Sequence, residues 1–368
     1  MTGSPHPVAA SPRIGIVSDD LTGAADAAAP FADRGLTVSV ALTVDPTPAP
    51  DVDVLAVVTD SRWQAAPQAG HAVRAAVIGL RAWDPAMLFV KIDSTLRGRV
   101  RQDVSVALDA WGAGCAIATP AFPAQGRVVR GGSLEVHGRP VVDRVADCFP
   151  PGVRVVDAAS GEELLDVARN IVGRGAVAVG SGGLARALAE VLVLPEPPAP
   201  GRPMSTRPRG VLIVVGTPHP VTRGQCEALL EGGALPVVVS RSAPPPVAAA
   251  VAALAEGRRV LLSCDPGAAV EADSAAAVAL AEETAGTVRT IVERAPEAAL
   301  VLTGGATALA VATALGATEL RLRREVSEGL PLGELVTGSR RVPVVTKSGG
   351  FGDRDALTRA AEALEAWR

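Results

Sequence analysis

The sequence predicts an α/β protein: two α/β domains with mainly parallel sheets, facing each other across an interdomain cleft. Three observations predict it. The chain has 368 residues, more than one hydrophobic core usually serves. Short β-branched runs alternate with helix-like stretches, the rhythm of βαβ units. A proline-rich stretch near the midpoint, LPEPPAPGRPMSTRPRG (194 to 210), interrupts both patterns and reads as a semi-rigid spacer. These set the expected boundaries: a disordered tail over 1–13, a first domain over 14–193, a linker over 194–209 and a second domain over 210–368.

In the first half the elements run RIGIVSDD (strand), LTGAADAAAPFADRG (helix), LTVSVAL and DVLAVVTDSR (strands), a helix through His71 to Arg81, then MLFVKIDS (strand). In the second half the strands read GVLIVVGT, LPVVVS, RRVLLSC, ALVLTGG and VPVVTKSGG, with Ala-rich helices between them. Each of these second-half runs ends in a Gly, Ser, Thr or Lys cluster, as a buried parallel strand should. No internal repeat is strong enough to make the halves duplicates.

Composition narrows the function classes. Hydrophobic residues make up 48% and supply the core, but aromatics are only 2% with no Tyr, and the formal net charge is -4. Nucleic-acid binding needs a basic excess and stacking platforms, so no nucleic-acid partner is expected. The first residues carry no apolar signal-peptide core, and no apolar run approaches the length of a membrane span, so a soluble cytoplasmic protein without a membrane partner is expected. Cys115, Cys148, Cys226 and Cys264 lack metal-ligand spacing and read as buried free thiols.

The chemistry concentrates at strand ends, where open α/β sheets bind ligands. Asp19 and Asp20 follow the first strand and precede a helix whose free N–H groups favour an anion or the acids themselves. Lys91, Asp93, Ser94, Thr95 and Arg97 crowd the end of another strand, too many polar groups for a plain turn. Asp60 and Arg62 follow a third, and a planar guanidinium suits an acid substrate's carboxylate. Three such ends describe one pocket.

AVAVGSGGLARALA (176 to 189) has the spacing of a dinucleotide fingerprint, but the linker arrives where an acid-bearing strand should follow, so it reads as a tight turn on the cleft. In the second half three glycine turns stand out: VGTPHP with Thr217 and His219, LTGGATAL with Gly304, Gly305, Ala306 and Thr307, and TKSGGFGD with Gly349, Gly350 and Gly352. Glycine lets backbone N–H groups approach phosphates, so three in one domain suggest a nucleotide cradle. No GxxxxGK[ST] segment occurs, so any ATP is not held in the P-loop manner.

The ordered set DDLTGA, TDSR, KIDSTLRG, AFPAQGR, GSGGLA, GTPHPVTRGQ, GGATA and KSGGFGD resembles the four-carbon acid sugar kinases over nearly the whole chain. The resemblance implies a first domain that binds a C4 sugar acid (threonate, erythronate or 3-oxo-tetronate), a second that binds ATP with Mg2+, and phosphoryl transfer to the 4-hydroxyl. Carried over by position, Asp19, Asp20, Asp60, Arg62 and the run Lys91 to Thr95 would line the sugar-acid pocket. Thr217 to His219, Gly304 to Thr307 and Gly349 to Gly352 would line the ATP pocket. Asp20 or Asp19 would orient or deprotonate the hydroxyl, Lys91 and Arg97 would neutralise phosphate charge, and Arg62 would take the substrate carboxylate. The pattern departs at Ala306, where an acid is usual, at Arg99, where Asn is common, and in a short second domain. A sugar-acid sensor without turnover is the alternative implied by Ala306, a nicotinamide-dependent dehydrogenase a weaker one, and Ala-rich helices are compatible with a homodimer.

Overall fold

The computed structural model describes residues 13–47, 51–193, 208–240, 244–264 and 275–367. The expected tail apart from Arg13, and the expected linker apart from Pro208 and Arg209, lie outside the described residues. The first half contains β1 (Ile14–Ser18), α1 (Leu21–Ala32), β2 (Val38–Ala41), β3 (Val54–Val58), α2 (Ala66–Ala82), β4 (Met87–Lys91), α3 (Val100–Trp111) and β5 (Ala116–Thr119). It continues with β6 (Arg127–Arg130), β7 (Ser133–Val136), β8 (Arg139–Val142), β9 (Val153–Val155), α4 (Gly161–Arg174), β10 (Val177–Gly180) and α5 (Gly182–Leu192). The second half contains β11 (Val211–Val215), α6 (Pro220–Glu231), β12 (Leu235–Val239), α7 (Val247–Ala255), β13 (Arg259–Cys264), α8 (Ala275–Arg294), β14 (Ala299–Thr303) and α9 (Gly305–Ala314). It closes with β15 (Glu319–Glu325), β16 (Pro331–Thr337), β17 (Arg340–Lys347) and α10 (Ala356–Glu365).

The α/β class and two-domain order are as read from sequence. The first-half strands pair in parallel in the order β2-β3-β1-β4-β10-β5-β9, and β12-β13-β11-β14-β17 do the same in the second. The sheets are not separate, however. An antiparallel β15–β16–β17 meander closes the second, and β15 pairs antiparallel with β2, so all fourteen strands form one sheet. β15 and β16 of the meander, the small antiparallel sheet β6-β7-β8, and the parallel strands β5 and β9 are ones that the sequence reading does not contain. Long-range pairing, rather than local pattern, decides where such edges dock.

The most deeply buried helix among the described residues sits where the halves meet. All twelve residues of α1 are buried, and it packs on its own sheet, on α5, on β15 and on α9. Its sequence, LTGAADAAAPFA, is what permits this: Ala and Gly let neighbours approach on every side, whereas an amphipathic helix would leave one face wet. One core cluster therefore runs through both halves, from Ile16 and Ala28 to Val40, Leu320, Ala308 and Val311.

The thiols differ from expectation: Cys115 is exposed and the other three are half-buried, all free. Among the described residues no helix is long and apolar enough to cross a membrane.

Leu320 is fully buried and lies opposite Val40 in the β2–β15 ladder. Leu320→Ala should cost about 2–5 kcal/mol, the usual penalty for such a cavity, and should lower the stability of both halves in a single denaturation transition. Two separated transitions would contradict a shared core.

Candidate functional site

β1 is flanked by β3 on one side and β4 on the other, so its C-terminal end is a switch point of the parallel sheet, where loops diverge and open a crevice. The three polar clusters of the first half converge there. Asp20 is the N-cap of α1, its Oδ1 accepting from Gly23 N–H at 2.6 Å. Arg62, after β3, donates to both Asp19 oxygens, Nε to Oδ2 at 2.7 Å and Nη2 to Oδ1 at 2.8 Å, and its Nη1 lies 2.5 Å from Asp20 Oδ2. Burial works against this charge, yet Asp20 and Asp19 hold the guanidinium well above its ordinary pKa. Burial in turn pushes the Asp19 carboxyl above the usual carboxylate range despite Arg62.

This geometry corrects the role expected of Arg62. Its fork is already filled by two acids of its own chain, so it is not free to grip a substrate carboxylate bidentately; it fixes the acids instead.

The loop after β4 is organised by Asp93, which accepts from Thr95 N–H and Oγ1 and is clamped by Arg97 Nε and Nη2. Burial opposes it, but the hydrogen bonds and charge of Arg97, with Arg62 behind, hold the Asp93 carboxyl well below the usual range. The same loop holds Leu96 at φ 63, a conformation that costs a leucine roughly 1–2 kcal/mol, so the turn is imposed by these contacts. Asp93, Thr95 and Arg97 thus spend their polar groups chiefly on one another. Lys91 and Ser94 do not. Both are buried, and the Lys91 ammonium donates only to Ile92 O at 3.0 Å, over the first turn of α1. Asp60 lies on the exposed rim with φ 50; burial of its carboxyl and the nearby Asp20 and Asp19 charges push it up to about 6.

The three glycine turns of the second half follow β11, β14 and β17, and they meet around Thr217. A Cβ at Gly349 would stand 2.6 Å from Thr217 Oγ1, and one at Gly304, which has φ 98, would stand 3.5 Å from Thr217 Cβ. His219 caps α6 through Nδ1, and a Cβ at Gly350 would stand 3.1 Å from its Nε2. Gly352 has φ 80; Thr307 is buried beneath the turns and Ala306 is exposed. The cradle is therefore lined by backbone that approaches to distances a side chain would forbid, as an anion site needs. It also abuts the first half: a Cβ at Gly305 would lie 2.6 Å from Asp20 Oδ2.

Sequence reasoning missed several residues here. Lys347 is fully buried beneath the last turn, donating to Thr222 Oγ1 and to the carbonyls of Ser348 and Phe351, and burial pushes its ammonium down to about 7. Arg127 reaches in from β6, and Asp26 from α1; the signals were the last residue of AFPAQGR, the first of KSGGFGD and a lone acid in an alanine run. GSGGLA is a close-packed turn: Ser181 caps α5, and a Cβ at Gly183 would lie 2.9 Å from Ala121 O.

The fold is that of a two-domain α/β protein in which the polar strand ends of the first half face the glycine turns of the second. Residues 14–148 match the family model of a sugar-binding N-terminal domain, and residues 212–357 that of a nucleotide-binding C-terminal domain. A D-threonate kinase of Bordetella bronchiseptica is 35% identical, with 96% of this chain and 98% of that one covered. A D-threonate kinase of Salmonella typhimurium is 30% identical (95% and 98% covered) and a 3-oxo-tetronate kinase of Pseudomonas fluorescens 26% (96% and 97%). A solved Salmonella typhimurium structure, 20% identical over 95% of this chain and 98% of its own, shares the fold with a TM-score of 0.73. The chain belongs to the four-carbon acid sugar kinase family, and as such is a sugar acid kinase.

Asp26 gives this region a pH signature. It is buried in α1, its carboxylate has no hydrogen-bond donor among the described residues, and burial pushes it up to about 6. Above the unfolded pKa of roughly 4 and up to about 6 the native state binds the extra proton, so stability falls as pH rises through that window. Asp26→Asn removes the penalty: its gain in Tm over the wild type should be larger at pH 8 than at pH 4.5. A pH-independent gain would mean that Asp26 titrates as an ordinary acid.

Proposed function

We propose that this protein uses ATP to phosphorylate the terminal 4-hydroxyl of a four-carbon sugar acid, threonate, erythronate or a 3-oxo-tetronate. One observation carries the reading: the paired acids at the end of β1 lie against the glycine turn that opens α9, with Asp20 Oδ2 within 2.6 Å of where a Gly305 Cβ would stand. An acceptor held by the first half and a phosphate held by the second meet at that point. We take the sugar-acid half as 14–193 and the nucleotide half as 210–368, and the related enzymes' names supply the class of acid.

In the reaction the 4-hydroxyl oxygen bonds to the terminal phosphorus, the bond from that phosphorus to the ADP oxygen breaks, and the hydroxyl proton passes to a carboxylate. Asp20 is that carboxylate, because it faces the cradle while Asp19 has both oxygens on Arg62. Lys91, with ammonium hydrogens to spare, and Ser94 meet the anionic acid; Arg97 adds positive charge at the rim. Backbone N–H groups of the turns at Thr217, Gly304 to Thr307 and Gly349 to Gly352 take the phosphates, and exposed Ala306 adds no acid there. Among the described residues no three His, Cys, Asp or Glu side chains are arranged to hold a metal by themselves. Mg2+ would come with the nucleotide, held chiefly by its phosphates, and when bound it would screen phosphate charge.

The deciding assay is ADP release with ATP, Mg2+ and a panel of C4 sugar acids, with longer aldonates as controls. Turnover on one C4 acid is expected; none, with an acid still raising Tm, would make the protein a sensor. In the active assay Asp20→Asn should cut kcat by roughly 10²-fold or more, with folding intact by circular dichroism. Near-normal kcat would remove Asp20 from the mechanism. Gly305→Val should both raise KM for ATP and lower kcat, because its side chain would strike Asp20; a change in KM alone would separate the turn from the acid.

A further inference from the structure

Arg127 is a buried arginine with no acid to neutralise it. It is 7% exposed, and no carboxylate oxygen of the described residues lies within 4.0 Å of it. One guanidinium nitrogen, Nη1, donates to Gln125 O at 2.5 Å, the buried Nε has no partner, and the group stacks 5.0 Å from the centre of the Phe351 ring. Burying a guanidinium without an anion is costly, and a stacking contact worth roughly 0.5–2 kcal/mol does not offset it. Something else must use the charge.

Its position says what. Arg127 starts β6 in the first half, while Phe351 and Gly350 belong to the last glycine turn of the second, and a Cβ at Gly350 would lie 3.4 Å from Arg127 Nη2. On the other side its charge is felt with those of Asp93, Arg97 and Asp26. His219 Nε2 stands 3.1 Å from that same Gly350 Cβ position, so Arg127 and His219 flank one glycine turn, and burial with the charges of Lys347, Arg97 and Arg127 depresses the imidazole. Arg127 therefore stands where the first half meets the last glycine turn of the second.

We propose that Arg127 is a catalytic residue that grips the phosphoryl group in flight between ATP and the sugar acid. The assignment rests on the kinase reading above. A guanidinium offers two parallel N–H donors to phosphate oxygens, and in a water-poor site such a group stabilises the charge that spreads over the phosphoryl oxygens as the old P–O bond lengthens. The side chain neither gains nor loses a proton in the step.

The test uses the full-length protein with Arg127→Met and Arg127→Lys. Calorimetric titration compares ADP with the non-hydrolysable AMP-PNP, a readout that needs no sugar acid. Arg127→Met should weaken AMP-PNP tenfold or more while leaving ADP within about twofold, because only the terminal phosphate is lost to it. Tm should stay level or rise, since an uncompensated buried charge is gone. Turnover should fall by 10²-fold or more with KM for the acid nearly unchanged, and Arg127→Lys should recover only a small part, having charge without the fork. Equal weakening of ADP and AMP-PNP, or of neither, would overturn the assignment; equal weakening with a lower Tm would make Arg127 a strut between the halves. If the wild type phosphorylates no C4 acid, the kinase reading fails, and the nucleotide comparison still decides whether Arg127 meets a terminal phosphate.

Discussion

The site depends on the triangle of Arg62, Asp19 and Asp20. Two adjacent carboxylates at a buried strand end repel each other and resist desolvation. A guanidinium from the neighbouring strand end is the one side chain that can satisfy both at once. It takes Asp19 through Nε and Nη2 and leaves Nη1 for Asp20, whose second oxygen caps α1. The consequence is positional. Asp20 is fixed between a guanidinium and a helix N-terminus, so it is presented to the second half at a set place, beside Gly305.

The same economy explains the composition. Asp20 and the glycine turn at Gly305 meet where the two halves join, so the elements at that meeting must approach closely. A helix of Ala and Gly, buried on all sides, lets β15 and α9 come near α1, and the β2–β15 pairing turns two sheets into one. Larger core residues at α1 would push the second half outward and withdraw Gly305 from Asp20. The scarcity of aromatics thus belongs to the architecture of the cleft; two of the few, Phe122 and Phe351, stack edge to face at 5.5 Å across it.

How far the sequence discloses this varies with the range of the interaction. Most parallel strands were legible because each is a short buried run with a polar end, and local pattern records burial; β5 and the three-residue β9 were not. The polar strand-end clusters that converge at the β1 switch point were legible for the same reason. The role of Arg62 was not, because the fork that fits a substrate carboxylate fits an aspartate equally well, and only distance separates them. The meander β15–β16 alternates, with Leu320 and Leu322 inward and charged neighbours between, yet its docking on β2 is a contact across 280 positions that no window contains. Arg127 was hidden by the opposite circumstance: an arginine in a turn is ordinarily a solvated one, and its meaning lies in the missing partner.

That missing partner closes the argument about what the cleft is for. Lys91, Arg127 and Lys347 are buried cations, and the described residues provide hydrogen-bond acceptors for them but no carboxylate within ion-pair reach. The acids nearby are either bound up with Arg62 and Arg97 or, like Asp26, pushed toward their neutral forms by burial. Left as it is, the protein holds positive charge in a poorly solvated gap at a cost to its own stability. An anionic acid on one side and a polyphosphate on the other would restore the balance, each relieving part of the cost and each drawing on cations from both halves.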